Sequence, residues 1–363
     1  MVSGDLRNHP VGYFLEGVLS QLYSSSIELL AFSTSPKSDE LTLRIKPYFK
    51  DWVSVYGLSD DQAAQAIHET APHILIDLSG HTAHNRLQVF AYKPALVQVT
   101  WLGYFSTTGV AAMDYILAGP HLVPKDEENH FVEKVWRLPE TSICFTSPDV
   151  QVDVSKLPAL DNGFITFGCF NNLSKMNEQV VSVWSRILER VPGSILFLKT
   201  KQLADAAVIA EVIAAFGANG ISENRLVLEG RSPRDEYFAA YHRVDIALDP
   251  FPFPGGTTSA EALWMGVPVL TLKGDRFISH QGESIAHNVG MSDWITEDSE
   301  DYLAKAQYFA SDVQSLARLR SGLREQVLKS PLFDAKRFVK HFESAMWGMW
   351  AEYKRTLGSP SRP

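Results

Sequence analysis

The stretch Leu248-Asp249-Pro250-Phe251-Pro252-Phe253-Pro254-Gly255-Gly256-Thr257-Thr258-Ser259-Ala260-Glu261-Ala262-Leu263-Trp264-Met265-Gly266-Val267-Pro268 decides how the rest of the chain is read. The apolar run Val244–Leu248 leading into it reads as a buried strand, and Ala260–Met265 as a helix. Between them lie a rigid proline-rich loop, the pair Gly255-Gly256 and the hydroxyls of Thr257 and Thr258. Two glycines before a helix start let backbone N–H groups approach an anion closely, and the helix dipole favours negative charge there. Hydroxyls in the first turn cap the helix or donate to phosphate oxygens. Glu261, one turn further on, carries an acceptor-only carboxylate suited to the hydroxyls of a ribose. A capped helix after a proline-rich turn is the plain structural alternative, so the surroundings must decide.

Upstream of this segment a strand–helix alternation runs through the second half of the chain. Ile165–Phe170 reads as a strand ending in Asn171-Asn172-Leu173-Ser174-Lys175, then come a helix at Glu178–Val191, a strand at Ser194–Leu198 and a helix at Ala204–Gly217. Leu226–Leu228 leads into Gly230-Arg231-Ser232-Pro233-Arg234, where Pro233 fits the first helical position with Ser232 as cap. Downstream, Val267–Leu272 is a strand followed by Lys273-Gly274-Asp275-Arg276. Lys175, Arg234 and Arg276 thus follow three strands and the Gly-Gly-Thr-Thr helix a fourth. If those strands are parallel neighbours, their ends share one crevice, and fixed donors with one or two point charges make a diphosphate site. Each cation alone is more simply a solvated surface residue.

The first half alternates too, with helices at Tyr13–Ser24, Asp60–Glu69 and Asn85–Ala91, and strands at Ile27–Phe32, Pro47–Val55, His73–Leu78 and Leu96–Trp101. This is the pattern of a mostly parallel, doubly wound α/β fold, whose ligands sit outside the carboxyl ends of the strands. His9, in the Pro/Gly loop before the first helix, is a candidate binding group. His73 opens an apolar strand, where a hydrogen-bonded core role is the simpler reading. His81 and His84 fall in a turn with no cysteine nearby, which argues against zinc. Ser147–Asn162 has two prolines and no periodicity and reads as a linker. Ser299–Gln326 is polar and helical, and Phe338–Thr356 is a helix whose Phe342, Met346, Trp347 and Trp350 suit packing on the protein, including a return to the first domain.

At 363 residues the chain is long enough for two domains. Hydrophobic content of 45% and charged content of 21% are those of a soluble globular protein, and a net charge of −9 argues against a nucleic-acid surface. Cys144 and Cys169 are too few for a disulfide framework and fit a reducing cytoplasm. No apolar run is long enough to span a membrane, and the start of the chain lacks a signal-peptide pattern.

The motifs as a set resemble the catalytic region of the O-linked N-acetylglucosamine transferase and SPINDLY family of glycosyltransferases. The resemblance runs from Asn8-His9-Pro10-Val11-Gly12-Tyr13 to Ser330-Pro331-Leu332-Phe333. It takes in Ile76-Asp77-Leu78-Ser79-Gly80-His81-Thr82, Trp101-Leu102-Gly103-Tyr104, Phe170–Lys175 and Pro252–Trp264. It implies a GT-B arrangement of two Rossmann-like domains facing a cleft: residues 1–146 on the acceptor and sugar side, a linker at 147–162, a nucleotide-sugar-binding domain at 163–335, and a C-terminal helix and tail at 336–363. It implies inverting, metal-independent transfer of N-acetylglucosamine from UDP-N-acetylglucosamine to protein Ser or Thr hydroxyls, with no cofactor. By that similarity Lys175 holds the diphosphate and neutralises the leaving group, with Asn172 on the same phosphates. Gly255, Gly256, Thr257 and Thr258 bind phosphate, Glu261 the ribose, and Ser232, Arg234 and Tyr237 the nucleoside. His9, Leu102 and Gly103 line the sugar and acceptor side. His9, His73 and the donor's own phosphate are the candidates for general base.

Three departures stand against this resemblance. The family's Tyr-Pro-Gly-Thr after Leu-Gly is Tyr104-Phe105-Ser106-Thr107 here, which puts the donor sugar in question. The His that animal members place before the two threonines is Gly256, as in bacterial and plant members. No tetratricopeptide repeats precede the domain, and the chain starts where the end of a first strand is expected, as a fragment of a longer protein would. The alternatives are a GDP-fucose-dependent transferase of the SPINDLY branch, a nucleotide-sugar 2-epimerase, whose acid/base carboxylates are not matched, and an inactive sugar-nucleotide-binding remnant.

Overall fold

Short apolar segments alternating with amphipathic helices can bury both faces of a parallel sheet, and a computed structural model, which describes residues 1–358, builds two such sheets. The strands are β1 (Val2–Ser3), β2 (Leu30–Ser33), β3 (Asp51–Ser54), β4 (Ile74–Asp77), β5 (Val97–Thr100), β6 (Tyr115–Ala118) and β7 (Lys134–Arg137), then β8 (Thr166–Cys169), β9 (Ile195–Lys199), β10 (Leu226–Glu229), β11 (Ile246–Leu248), β12 (Val269–Leu272) and β13 (Ile295–Thr296). The first sheet has the order β3-β2-β1-β4-β5-β6-β7 and the second β10-β9-β8-β11-β12-β13. Every pair is parallel. Each sheet therefore reverses its winding once, between β1 and β4 and between β8 and β11, and these are the switch points where doubly wound folds bind ligands.

The chain divides into two compact units: Met1–Thr146 together with the chain from Pro331 onward, and Ser147–Ser330. Two expected boundaries are corrected by this division. The stretch 147–162 is no free linker but packs on the second unit. Ala159 N–H donates to the buried Asp245 at 2.9 Å, and the buried Arg320 donates to the Ser155 carbonyl at 2.9 Å. Prolines and lost periodicity signal an irregular backbone, and here its polar groups are satisfied by buried side chains instead of water. The second unit ends at Ser330 and not at 335, and the helix that follows spans Ala335–Gly358. Residues 359–363 of the expected tail lie outside the described residues.

That helix belongs to the first unit. It brings Phe338, Phe342, Ala345, Met346 and Met349 into the same buried cluster as Leu15, Val18 and Leu19 of the helix Pro10–Leu22. Trp101, just past β5, lies 5.9 Å from the ring of Phe338 and 5.0 Å from that of Phe342, and its Nε1 donates to the Ser142 carbonyl. Each such buried aromatic contributes roughly 2–3 kcal/mol through area removed from water. The polar segment 299–326 is two helices, Ser299–Ser311 and Val313–Leu328, because the Asp312 side chain accepts from Ser315 N–H and starts a new one. Pro47 sits in a tight turn, so the expected strand at 47–55 shortens to β3.

Candidate functional site

In the second unit the expected diphosphate residues gather at the β8–β11 switch point. Gly256 is the N-cap of the helix Thr257–Trp264, whose first-turn N–H groups have no intrahelical partner. The turn before it is tied down from inside. Asp249, 2% exposed at the end of β11, accepts from Gly255 N–H at 3.0 Å and from Ser259 Oγ at 2.9 Å. Burial raises the Asp249 carboxyl above its usual range, against those hydrogen bonds and Lys175, which pull it down. A Cβ on Gly255 would lie 2.1 Å from Ser259 Oγ, so no larger residue fits this turn.

Lys175 ends the short 3-10 turn Leu173–Lys175 after β8. Its Nζ donates to Asn171 Oδ1 at 3.2 Å and to the Pro254 carbonyl at 2.8 Å, and stands 3.8 Å from the centre of the Phe253 ring. Burial pushes the ammonium down to about 8, with Asp249 pulling the other way. Thr258 Oγ1 donates to the same Asn171 oxygen at 2.9 Å. Asn171 thus couples the cation to the helix start, whereas its neighbour Asn172 is the residue expected on the phosphates. Asn172 is exposed, and its Oδ1 caps the turn at Ser174 N–H and accepts from Gln202 Nε2. The doublet after an apolar strand signals a polar turn but does not say which asparagine points inward.

Glu261 is 3% exposed, and burial holds its carboxyl up at about 7. Tyr237 OH donates to it at 2.8 Å, and Arg234 lies 3.8 Å away. The Tyr237 hydroxyl is therefore committed to positioning Glu261, while its ring stands 5.7 Å from that of Phe170 at the end of β8. Pro233 is itself the cap of the helix Arg234–Ala239, so Ser232 does not cap it; its Oγ is buried without a partner. Arg276 pairs with its neighbour Asp275 at the surface.

In the first unit the β1–β4 switch point holds a second set. His9 is the N-cap of the helix Pro10–Leu22; its Nδ1 accepts from Val11 N–H at 3.4 Å and lies 3.7 Å from Asp5 Oδ2. Burial lowers the His9 imidazole, Asp5 raises it and Arg7 lowers it, burial being the largest. At the end of β4, Asp77 accepts from Ser79 and Gly80 N–H and from Thr100 Oγ1. Leu102 adopts a left-handed backbone at φ 73°, and a Cβ on Gly103 would lie 2.2 Å from the Leu78 carbonyl oxygen. Leu102-Gly103 therefore crosses directly over the end of β4. His73 is elsewhere: it precedes β4, at the amino edge of the sheet, with its ring 4.9 Å from Trp350. The sequence already has His73 opening its strand, and the structure places it there. His81 lies 2.9 Å from the Thr107 carbonyl through Nε2, and no group of three or more His, Cys, Asp or Glu among the described residues could hold a metal ion. Among them, too, no helix is long and apolar enough to cross a membrane.

Two Rossmann-like domains, each with its polar groups at a switch point, have the architecture of GT-B glycosyltransferases. Known structures agree. A Thermobaculum terrenum O-GlcNAc transferase, determined in a mutant form, matches with a TM-score of 0.93 and 36% identity, covering 98% of this chain and 68% of that one. Anabaena HepE in complex with UDP and glucose, at a TM-score of 0.63 and 15% identity over 96% of this chain and 98% of its own, shares the fold. In sequence, a Solanum lycopersicum protein described as a probable UDP-N-acetylglucosamine–peptide N-acetylglucosaminyltransferase SPINDLY is 36% identical over 357 residues, covering 97% of this chain. The chain spans 38% of that relative's length. The model of glycosyl transferase family 41 matches residues 1–149 and 146–342, and the chain belongs to that family.

Proposed function

We propose that this protein transfers N-acetylglucosamine from UDP-N-acetylglucosamine to protein Ser or Thr hydroxyls, with inversion at the anomeric carbon and without a metal ion. The observation that carries the reading is the Lys175 ammonium, fixed by Asn171, the Pro254 carbonyl and the Phe253 ring beside a helix start. In the transfer, the acceptor oxygen bonds to the anomeric carbon while the bond from that carbon to the phosphate oxygen breaks. Negative charge then grows on the leaving diphosphate. A preorganised cation and unsatisfied helix N–H groups lower the energy of that charge most when it is fully developed. With its value near 8, Lys175 is mostly protonated at neutral pH, and an anion beside it raises that value further.

The acceptor proton needs a base. With Nδ1 accepting from Val11 N–H, neutral His9 carries its proton on Nε2, which makes that nitrogen a donor. His9 becomes a base at Nε2 only when its proton moves to Nδ1, toward Asp5 Oδ2. His73, at the amino edge of its sheet and away from the strand ends where His9 lies, is the less supported candidate. The donor's own phosphate is the other acceptor.

The departure at Tyr104-Phe105-Ser106-Thr107 beside Gly103 puts the donor sugar in question, and the second reading is a GDP-fucose donor on the same fold. Thermal unfolding with UDP, GDP and dTDP, each with and without Mg²⁺, tests the donor base: a ligand at a hundredfold excess over Kd stabilises by about 2.7 kcal/mol. A metal-independent shift with UDP supports the first reading, and a shift with GDP alone replaces it with the second. Release of nucleotide from the matching nucleotide sugar, with a Ser/Thr peptide as acceptor, then tests transfer.

A further inference from the structure

β12 is the neighbour of β11, and the chain leaving its carboxyl end comes back to the Gly255-Gly256 turn. Here the helix Gln281–Asn288 begins. A Cβ on its Gly282 would lie 2.0 Å from Thr271 Oγ1 and 3.1 Å from Asp249 Oδ2. The bare backbone of this helix start therefore rests on the carboxylate that holds Gly255 and Ser259. Beside Gly256 the space is otherwise open: the one atom within 4 Å of a Cβ placed there is Gln281 Nε2, at 3.9 Å. Gln281 is 2% exposed, and its Oε1 is buried without a hydrogen-bond partner. That orphan is an acceptor and lacks a donor, which a phosphate does not supply; the end of the carboxamide that faces the open space at Gly256 is Nε2, its donor.

We propose that Gln281 is a ligand-binding residue, its carboxamide donating from Nε2 to the sugar-proximal phosphate of a nucleotide diphosphate seated on the start of the helix Thr257–Trp264. The assignment rests on the phosphate reading of that helix start. Sheet order gives the proximal phosphate as its target. Arg234 and Tyr237, which address the nucleoside end, follow β10 on one side of β11, whereas Gln281 follows β12 on the other. A group on that far side meets the part of the ligand most distant from the base. A neutral amide there adds a donor to an anion without adding charge.

The test is calorimetric titration of the full chain with uridine and guanosine mono- and diphosphates, for wild type, Gln281→Ala and Gln281→Glu. Unliganded melting temperatures report whether each variant is folded. Gln281→Ala should weaken diphosphate binding about tenfold while monophosphate binding stays within about twofold. Gln281→Glu, which sets a carboxylate against the phosphate, should weaken the diphosphate still further. A folded Gln281→Ala variant that binds the diphosphate as wild type does, or loses mono- and diphosphate equally, overturns the assignment while leaving the phosphate site standing. A wild-type chain that binds none of the four nucleotides removes the phosphate reading itself, and this assignment with it.

Discussion

Burial sets Glu261 and Lys175 in opposition in the empty protein: the carboxyl is held up at about 7 and the ammonium down at about 8. On the proposed function, a nucleotide sugar asks for the ionised form of both, since ribose hydroxyls donate to a carboxylate and a diphosphate attracts an ammonium. Binding therefore expels a proton from Glu261 at pH values below about 7, and takes one up at Lys175 above about 8. The sign follows by linkage: affinity rises as pH climbs to the Glu261 value and falls as it passes the Lys175 value. One unit below the Glu261 value only about a tenth of the molecules carry the carboxylate, so affinity is about tenfold lower there, equivalent to about 1.4 kcal/mol. Glu261→Gln has no proton to lose, so its acid limb should be flat while the basic limb remains. At neutral pH it should bind about tenfold more weakly, a neutral acceptor having replaced a charged one. The assay is calorimetry with the nucleotide sugar in paired buffers of different ionisation enthalpy, which counts protons exchanged on binding. The sugar-linked diphosphate has no proton to gain in this range, so the slopes belong to the protein. An acid limb of the same slope in Glu261→Gln would refute the reasoning.

Other consequences of the site are open to equally direct checks. Lys175→Ala should lower kcat by roughly 10²–10³ while nucleotide affinity falls no more than about tenfold, because the cation acts most on charge that develops during transfer; equal losses in both would assign it to binding alone. Asn171→Ala strips the shared acceptor from Lys175 and Thr258 and should weaken diphosphate binding about tenfold in titration, with the fold intact. Asp5→Asn should lower kcat by roughly 10–10² with little change in donor affinity if His9 is the base, since it takes the charge off the partner of an Nδ1 proton; unchanged turnover would leave His9 as a cap. Phe342→Ala should cost about 3–5 kcal/mol in denaturant unfolding of the first unit, by emptying the space beside Trp101.

Much of the second unit was legible because its signals are local. An apolar run, two glycines and two threonines specify strand, turn and helix start within a dozen residues, and β11 and the helix Thr257–Trp264 lie where that pattern puts them. What escaped depends on partners distant in the chain. Asn171 cannot be told from Asn172 until Thr258 arrives, 87 positions later. Asp249 reads as a turn residue until Gly255 and Ser259 are folded back on it. Gln281 carries no motif at all, and only the register of β12 against β11 brings it to Gly256. The two-residue β1 is too short to show periodicity, yet it sits inside its sheet, between β2 and β4. His73 and His9 look alike in composition, and the sheet separates them by edge.

The return of the helix Ala335–Gly358 to the first unit has a consequence for the order in which a growing chain matures. Folding on the ribosome ordinarily favours whatever emerges first. Here the second unit is complete once Ser330 has emerged, whereas the first still lacks the side chains that cover Leu15, Val18 and Trp101. Of the two units, the one synthesised earlier is thus the later to close its core, and it waits with an apolar face uncovered through the making of almost two hundred residues.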